Sequence, residues 1–190
     1  MKSAIFLDRD GVIIENREEY VRSWKDVFIY PQALRALQAL SRSDLQLFIV
    51  TNQSAIGRGI ISYAEAQTIN LRLLGLINSA GGRIDDVFIC PHAPSDFCHC
   101  RKPLPGLIFN AAHKHQIDLQ KSFLIGDALT DLKAGQSAGI HQLSLVLTGR
   151  GKSQIDLPEA KHLKPFYIFN DLLDATNFFV AKNFISISGN

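Results

Sequence analysis

Five short apolar runs, at residues 4–7, 45–50, 87–90, 122–125 and 143–147, constrain this chain more than any other feature. They are rich in Ile, Val, Leu and Phe and read as continuous rather than alternating, so each is predicted to be a strand buried on both faces. Helical spacing fills the intervals. "ALRALQAL" carries Leu34, Leu37 and Leu40, and a longer helix starts at Ser62. There Ser62 and Glu65 form a capping box, Ala66, Ile69, Leu73 and Ile77 make one stripe, and Gly81 and Gly82 stop the pattern. Further helices are predicted over 106–115 and 129–137. Strands alternating with helices specify an α/β fold, a doubly wound Rossmann-like parallel sheet. With 190 residues, 46% of them apolar, one domain spanning 1–190 is expected. The C-terminal stretch "FYIFNDLLDATNFFVAKNFISIS" adds an edge strand and a helix, its phenylalanines serving packing.

Several function classes drop out on charge and hydropathy. A net charge of +2, with no Lys/Arg run longer than two, leaves no footprint for nucleic acid. Only Ala4–Leu7 precedes Asp8 as an apolar stretch, too short for a secretory leader, and no later segment is long enough to span a bilayer. A cytoplasmic monomer without nucleic-acid or membrane partners is expected. The three cysteines, Cys90, Cys98 and Cys100, are odd in number and share one short window, which does not suit a disulfide framework.

In a parallel sheet, ligands bind outside the carboxyl ends of the strands. The residue just past each strand is therefore informative: Asp8 after the first, Thr51 after the second, and Asp127 after Gly126 at the end of the fourth. Lys102 and Asp131 can reach the same crevice. Asp8 and Asp10, one residue apart in "AIFLDRDGVI", repel each other and gain nothing from a core. Carboxylates grouped this way call for a hard cation, and magnesium is the expected one. A lysine and a threonine beside it suggest phosphate; the chain has neither a P-loop nor a dinucleotide fingerprint to deliver that phosphate from a nucleotide. Asp8 is then the carboxylate nucleophile that forms an aspartyl phosphate. Asp10 is general acid to the leaving oxygen and later general base for water. Thr51 and Lys102 hold phosphoryl oxygens, while Asp8, the main-chain carbonyl of Asp10, and Asp127 hold magnesium. Asp131 orients Lys102 or a metal-bound water.

"DRDG", "VTN", "RKP" and "GDALTD", in that order, resemble the four motifs of haloacid-dehalogenase-type phosphatases over about residues 4–150. About forty residues separate Asp10 from Thr51 and about fifty separate Thr51 from Lys102. Both intervals are already filled by core elements, so the fold is expected to be capless, with specificity coming from loops. "CPHAPSDFCHC" adds a C-x-H followed five residues later by C-x-C. Cys90, His92, Cys98 and Cys100 are thus four candidate ligands that close a tetrahedral zinc site, leaving His99 pointing away. With no open position such a zinc is structural and folds the loop that carries Arg101 and Lys102.

That zinc loop resembles a small capless group, chiefly heptose bisphosphate phosphatases and histidinol-phosphate phosphatases. "TNQSAIGRG", "RKPLPG" and "VLTGRG" resemble the heptose pattern, whereas the five-residue spacer of the cysteine loop resembles the histidinol-phosphate type. The longer second-motif match carries more weight. Ala128 departs from the lysine that many heptose enzymes carry after the metal aspartate. The resemblance implies substrate contacts at Asn52, Gln53 and Ser54. Arg17, Arg58 and Arg101 are candidate anchors for a second phosphate, since arginine forks suit bidentate phosphate recognition. Asn16 and Tyr20 in "ENREEYVRSW" are candidates for sugar hydroxyls, and His113, His115 and His141 are assigned to surface or packing. The expected activity is magnesium-dependent hydrolysis of the 7-phosphate of a heptose 1,7-bisphosphate, a small phosphorylated sugar. Histidinol phosphate is the alternative substrate. A phosphoacceptor signalling domain is the non-enzymatic reading, and Asp10 opposes it because a placed base destroys an acyl phosphate.

Overall fold

The computed structural model describes residues 1–163 and 165–187. Ser188, the last residue of the C-terminal stretch quoted above, and the end of the 1–190 domain lie outside the described residues. Six strands form one parallel sheet: β1 (Ala4–Leu7), β2 (Gln46–Asn52), β3 (Asp86–Cys90), β4 (Phe123–Gly126), β5 (Gln142–Val146) and β6 (Tyr167–Phe169). Their order is β3-β2-β1-β4-β5-β6, with Ile5 of β1 opposite Leu47 on one side and Phe123 on the other. The chain winds outward from β1 to β3 and then returns to lay β4 against β1's other edge. The switch point between β1 and β4 is where such a sheet opens a crevice.

Helices α1 (Pro31–Leu40), α3 (Tyr63–Ser79) and α7 (Leu172–Ala181) cover one face, and α4 (Gly106–His115) and α5 (Leu129–Ser137) cover the other. The short α2 (Ser54–Gly57) follows β2, and the short α6 (Gly151–Ile155) follows β5. Alternate strand residues feed the two cores: Ile5 and Leu7 pack toward α1, Ala4 and Phe6 toward α4 and α5. The capping box at Ser62 is formed in both directions, Ser62 N–H to Glu65 Oε2 at 2.7 Å and Glu65 N–H to Ser62 Oγ at 3.1 Å. Around α7, Tyr167, Phe169, Phe178 and Phe179 stack into one aromatic block with centroid distances of 5.2–6.0 Å.

Two expectations change. The strand over 87–90 is not buried on both faces: β3 is an edge strand, half-buried up to Cys90, because only β2 pairs with it. Thr51 does not lie past its strand, since β2 runs on through Thr51 and Asn52, which face Ile89 and Cys90 of β3. No separate cap occurs among the described residues, and no helix there is long and apolar enough to cross a membrane.

Candidate active site

Asp8 follows β1 directly, is 5% exposed, and its main-chain N–H donates to Ile125 O of β4 at 3.0 Å. Lys102 is equally buried. Its Nζ sits 2.9 Å from Asp8 Oδ1 and 2.6 Å from Asp131 Oδ1, and donates to Val50 O at 2.8 Å. Burial would drive this ammonium toward neutrality, but Asp131 and then Asp8 outweigh it and hold Lys102 above its usual pKa. The opposite happens to the nucleophile candidate. Burial foremost, opposed by Lys102 and reinforced by like charge on Asp131, Asp127 and Asp10, pushes Asp8 up to about 7. The N–H of Arg9 also donates to Asp8 Oδ1, at 2.8 Å, so both of these donors use one oxygen.

Asp127, just past β4, is fully buried, and burial and then Asp131 raise its pKa while Arg150 opposes them. Arg150 donates from its main-chain N–H to Asp127 Oδ2 at 2.8 Å and from a guanidinium nitrogen to Oδ1 at 3.0 Å. Two glycines, Gly11 at φ +88° and Gly149 at φ +57°, form the cradle of this carboxylate; a Cβ at either would collide with Asp127 Oδ2. Only glycine suits both the left-handed backbone and the close approach. Asp131 caps α5, accepting from Ala128 N–H at 3.1 Å.

Carboxylate oxygens of Asp8, Asp127 and Asp131 lie within 4.8 Å of one another. Three buried acids this close, two with raised pKa values despite Lys102 and Arg150, form an oxygen donor set short of positive charge, which suits magnesium. The Asp10 carboxylate is not part of that cluster. Arg9 Nε and NH2 donate to its Oδ2 at 3.0 Å and Oδ1 at 2.9 Å, and Gln53 Nε2 donates to Oδ2 at 3.1 Å. The Thr51 hydroxyl approaches the same oxygen at 3.4 Å. Asn52 lines the cleft and its amide binds the Lys102 backbone: Nδ2 donates to Lys102 O and Oδ1 accepts from Lys102 N–H, both at 3.1 Å. This reciprocal pair fastens the Lys102 backbone to the end of β2.

These groups open into a cleft of about 380 Å³ whose walls include Asn16, Tyr20, Ser54, Arg101 and Arg150. Tyr20 is at φ 69°, which turns the chain at the rim. Arg17 also lines the cleft, although its guanidinium donates to Asp26 O at 2.9 Å and pairs with Glu15 at 2.7 Å. Arg58 is exposed and outside the lining, because it caps α2 on the solvent side. Arg9 and Arg150 carry no role in the sequence reading. Arg150 had a visible signal in "VLTGRG"; nothing local marks Arg9 as 2% exposed.

Cys90, His92, Cys98 and Cys100 converge as the spacing implies, with no disulfide among them. The Cys90–Cys98 and Cys98–Cys100 Sγ distances are 3.6 Å, and His92 Nδ1 lies 3.6 Å from Cys90 Sγ and 3.3 Å from Cys100 Sγ. A tetrahedron with Zn–S bonds of about 2.3 Å has S···S edges of about 3.8 Å, so the group fits zinc. Burial pushes the Cys90 thiol up to about 12 and raises Cys100, while against burial the hydrogen bonds from the Arg101 backbone and from the Cys100 and Cys90 side chains lower Cys98; a cation among the sulfurs would favour thiolate at Cys90 and Cys100. The same loop leads into Arg101, whose guanidinium donates to His92 O at 3.3 Å. His115 packs against Phe48 at 4.7 Å and pairs with Asp86 at 2.8 Å, away from the cleft.

A HAD-hydrolase-like family model matches residues 99–175. The D-glycero-beta-D-manno-heptose-1,7-bisphosphate 7-phosphatase of Bordetella bronchiseptica is 37% identical over 158 residues, 82% of this chain and 88% of that one. The D-glycero-alpha-D-manno-heptose-1,7-bisphosphate 7-phosphatase of Photorhabdus laumondii is 37% identical over 157 residues, 78% of this chain and 85% of that one. Among solved structures, the D,D-heptose 1,7-bisphosphate phosphatase of B. bronchiseptica complexed with magnesium and phosphate superposes with a TM-score of 0.86 at 34% identity, covering 96% of this chain and 99% of that one.

Proposed function

Because the chain belongs to the HAD-like hydrolases, among the D-glycero-D-manno-heptose-1,7-bisphosphate 7-phosphatases, we propose that it removes the 7-phosphate of that sugar through an aspartyl phosphate on Asp8. The observation that carries the chemistry is the convergence of Asp8, Lys102, Asp127 and Asp131 at the carboxyl ends of β1 and β4, with Asp10 two residues beyond the nucleophile. Lys102 and the Arg9 N–H both hold Oδ1 of Asp8, which leaves Oδ2 to attack phosphorus. As the new O–P bond forms, the bond from phosphorus to the sugar oxygen breaks, and Asp10 gives that oxygen a proton. Water then attacks the phosphoryl group, Asp10 takes the proton back, and Asp8 is released as a carboxylate. Thr51 is assigned to a phosphoryl oxygen; Lys102, whose ammonium meets Asp8, Asp131 and Val50 O, offsets phosphoryl charge in both steps, and Asp131 keeps that ammonium in place. Magnesium, held by Asp8, Asp127 and the main-chain carbonyl of Asp10, would supply positive charge against the phosphoryl oxygens. Zinc on the cysteine loop would fix the backbone that carries Arg101 and Lys102.

Specificity is assigned to the cleft walls. Arg101 is suited to the remote phosphate, with Arg17 and Arg150 lining the same cleft, and Asn16 and Tyr20 are suited to sugar hydroxyls. The enzyme acts as a cytoplasmic, single-domain monomer, and its product supplies cell-surface glycan synthesis. Parallel turnover of the α and β anomers of heptose 1,7-bisphosphate, histidinol phosphate and fructose 1,6-bisphosphate tests this. Preference for a heptose bisphosphate with release of only one phosphate is expected. Faster turnover of histidinol phosphate would overturn the substrate, and a lasting phosphoenzyme without turnover would overturn the enzyme.

A further inference from the structure

Among the described residues, Arg9 is the largest side chain that is essentially removed from solvent. Burying a guanidinium is costly unless every donor is met, and replacing such networks with apolar residues is often stabilising. Its partners therefore matter. Nε and NH2 fork the two oxygens of Asp10, and NH1 donates to Asn70 Oδ1 on α3 at 2.8 Å. Asn70 is itself buried, and its Nδ2 has no protein partner, so what the residue offers is its carbonyl oxygen toward Arg9. The main-chain N–H of Arg9 meanwhile binds Asp8. One residue thus touches both aspartates of the pair, and Asn70 of α3 anchors it.

We infer that Arg9 is a positioning residue, which holds the Asp10 carboxylate in one orientation for proton transfer, and that Asn70 holds Arg9. This deepens the acid/base role given to Asp10 above and rests on it. A planar fork meeting both oxygens fixes the rotation of a carboxylate, which a lysine point charge cannot do. Misplacing an acid or base by about 1 Å costs on the order of a hundredfold in rate.

The test separates the two chemical steps. p-Nitrophenyl phosphate has a good leaving group and needs no acid, so phosphoenzyme forms from it without Asp10, whereas hydrolysis of that phosphoenzyme needs the base. In Arg9→Lys, kcat for the sugar bisphosphate should fall about 30–100-fold with KM changed less than about threefold. With p-nitrophenyl phosphate the same variant should release a burst of one p-nitrophenol per active site, followed by slow turnover, with trapped phosphoenzyme rising in acid-quenched samples. Asn70→Leu lies outside the cleft and should give the same pattern with a smaller loss, so it carries the test if Arg9→Lys fails to fold. Asp10→Asn provides the reference. If Asp10→Asn shows the burst while both other variants turn over like wild type, the positioning role is overturned and the acid/base reading stands. If Asp10→Asn itself turns over normally, the underlying reading fails. Losses equal in both steps with a raised KM would reduce Arg9 and Asn70 to structural supports and would also overturn the inference.

Discussion

Replacing Asp8, the proposed nucleophile, should make the protein inactive yet, at alkaline pH and without magnesium, more stable. Asp8 sits at about 7 in the fold, where burial and the neighbouring acids outweigh Lys102. An unperturbed aspartate titrates near 3.9, about three pH units lower, and at about 1.4 kcal/mol per unit the ionised Asp8 burdens the fold by about 4 kcal/mol. An acid whose folded pKa is raised binds more protons folded than unfolded. Its burden is therefore absent below about pH 4, grows as pH rises, and is complete above about pH 7. The neutral side chain of Asp8→Asn carries no such burden. The attraction to Lys102 that the variant loses is already counted in the net position of Asp8 at about 7, and Lys102 keeps Asp131 and Val50 O. The clean quantity is the change in the stability difference with pH. Urea unfolding of wild type and Asp8→Asn in magnesium-free buffer, zinc retained, should show the variant gaining about 2–3 kcal/mol on wild type between pH 5 and pH 8. Added magnesium should then stabilise wild type more than the variant at pH 8, since the variant has lost one of the carboxylates proposed to hold it. A stability difference that stays flat with pH, or moves the other way, would refute the account of a nucleophile held in an electrostatically burdened site.

Gly11→Ala would push a Cβ into the Asp127 carboxylate from a backbone at φ +88°, so a loss of about 1–3 kcal/mol in unfolding free energy, together with weakened magnesium-dependent activity, is expected; unchanged magnesium titration would refute it. Cys98→Ser should lower bound zinc, speed hydrogen exchange around residues 90–103 and abolish turnover while the sheet stays protected, because it removes one of the four side chains that the proposed zinc would tie together. Full activity after zinc removal, with the loop still protected, would contradict a structural metal. Arg101→Ala should cut kcat/KM at least about tenfold more for a bisphosphate than for p-nitrophenyl phosphate, and equal losses would assign Arg101 to the reaction centre.

Features that depend on short-range pattern were legible in the chain alone. The apolar runs that became β1, β2 and β4 were legible because a strand covered on both faces is apolar on both, and β5 was legible although Ser144 interrupts it. The Ser62–Glu65 box was legible because its two bonds close within one turn. Cys90, His92, Cys98 and Cys100 sit in one window, so their convergence needed only a tight loop. Even the meeting of Asp8, Lys102 and Asp127 followed from one topological rule, that parallel strands present their carboxyl ends to a common crevice. Tertiary structure decided which polar atom meets which. Arg9 finds Asn70 across 61 residues and Arg150 finds Asp127 across 23, while Asn52 turns its amide onto the Lys102 backbone and Arg58 ends outside the cleft. It also made β3 an edge strand and carried β2 on through Thr51. The reason is physical. Hydrophobic burial is non-directional and leaves a periodic trace in the chain, whereas a hydrogen bond requires a partner within about 3 Å at the right angle, and only the packed fold supplies that distance.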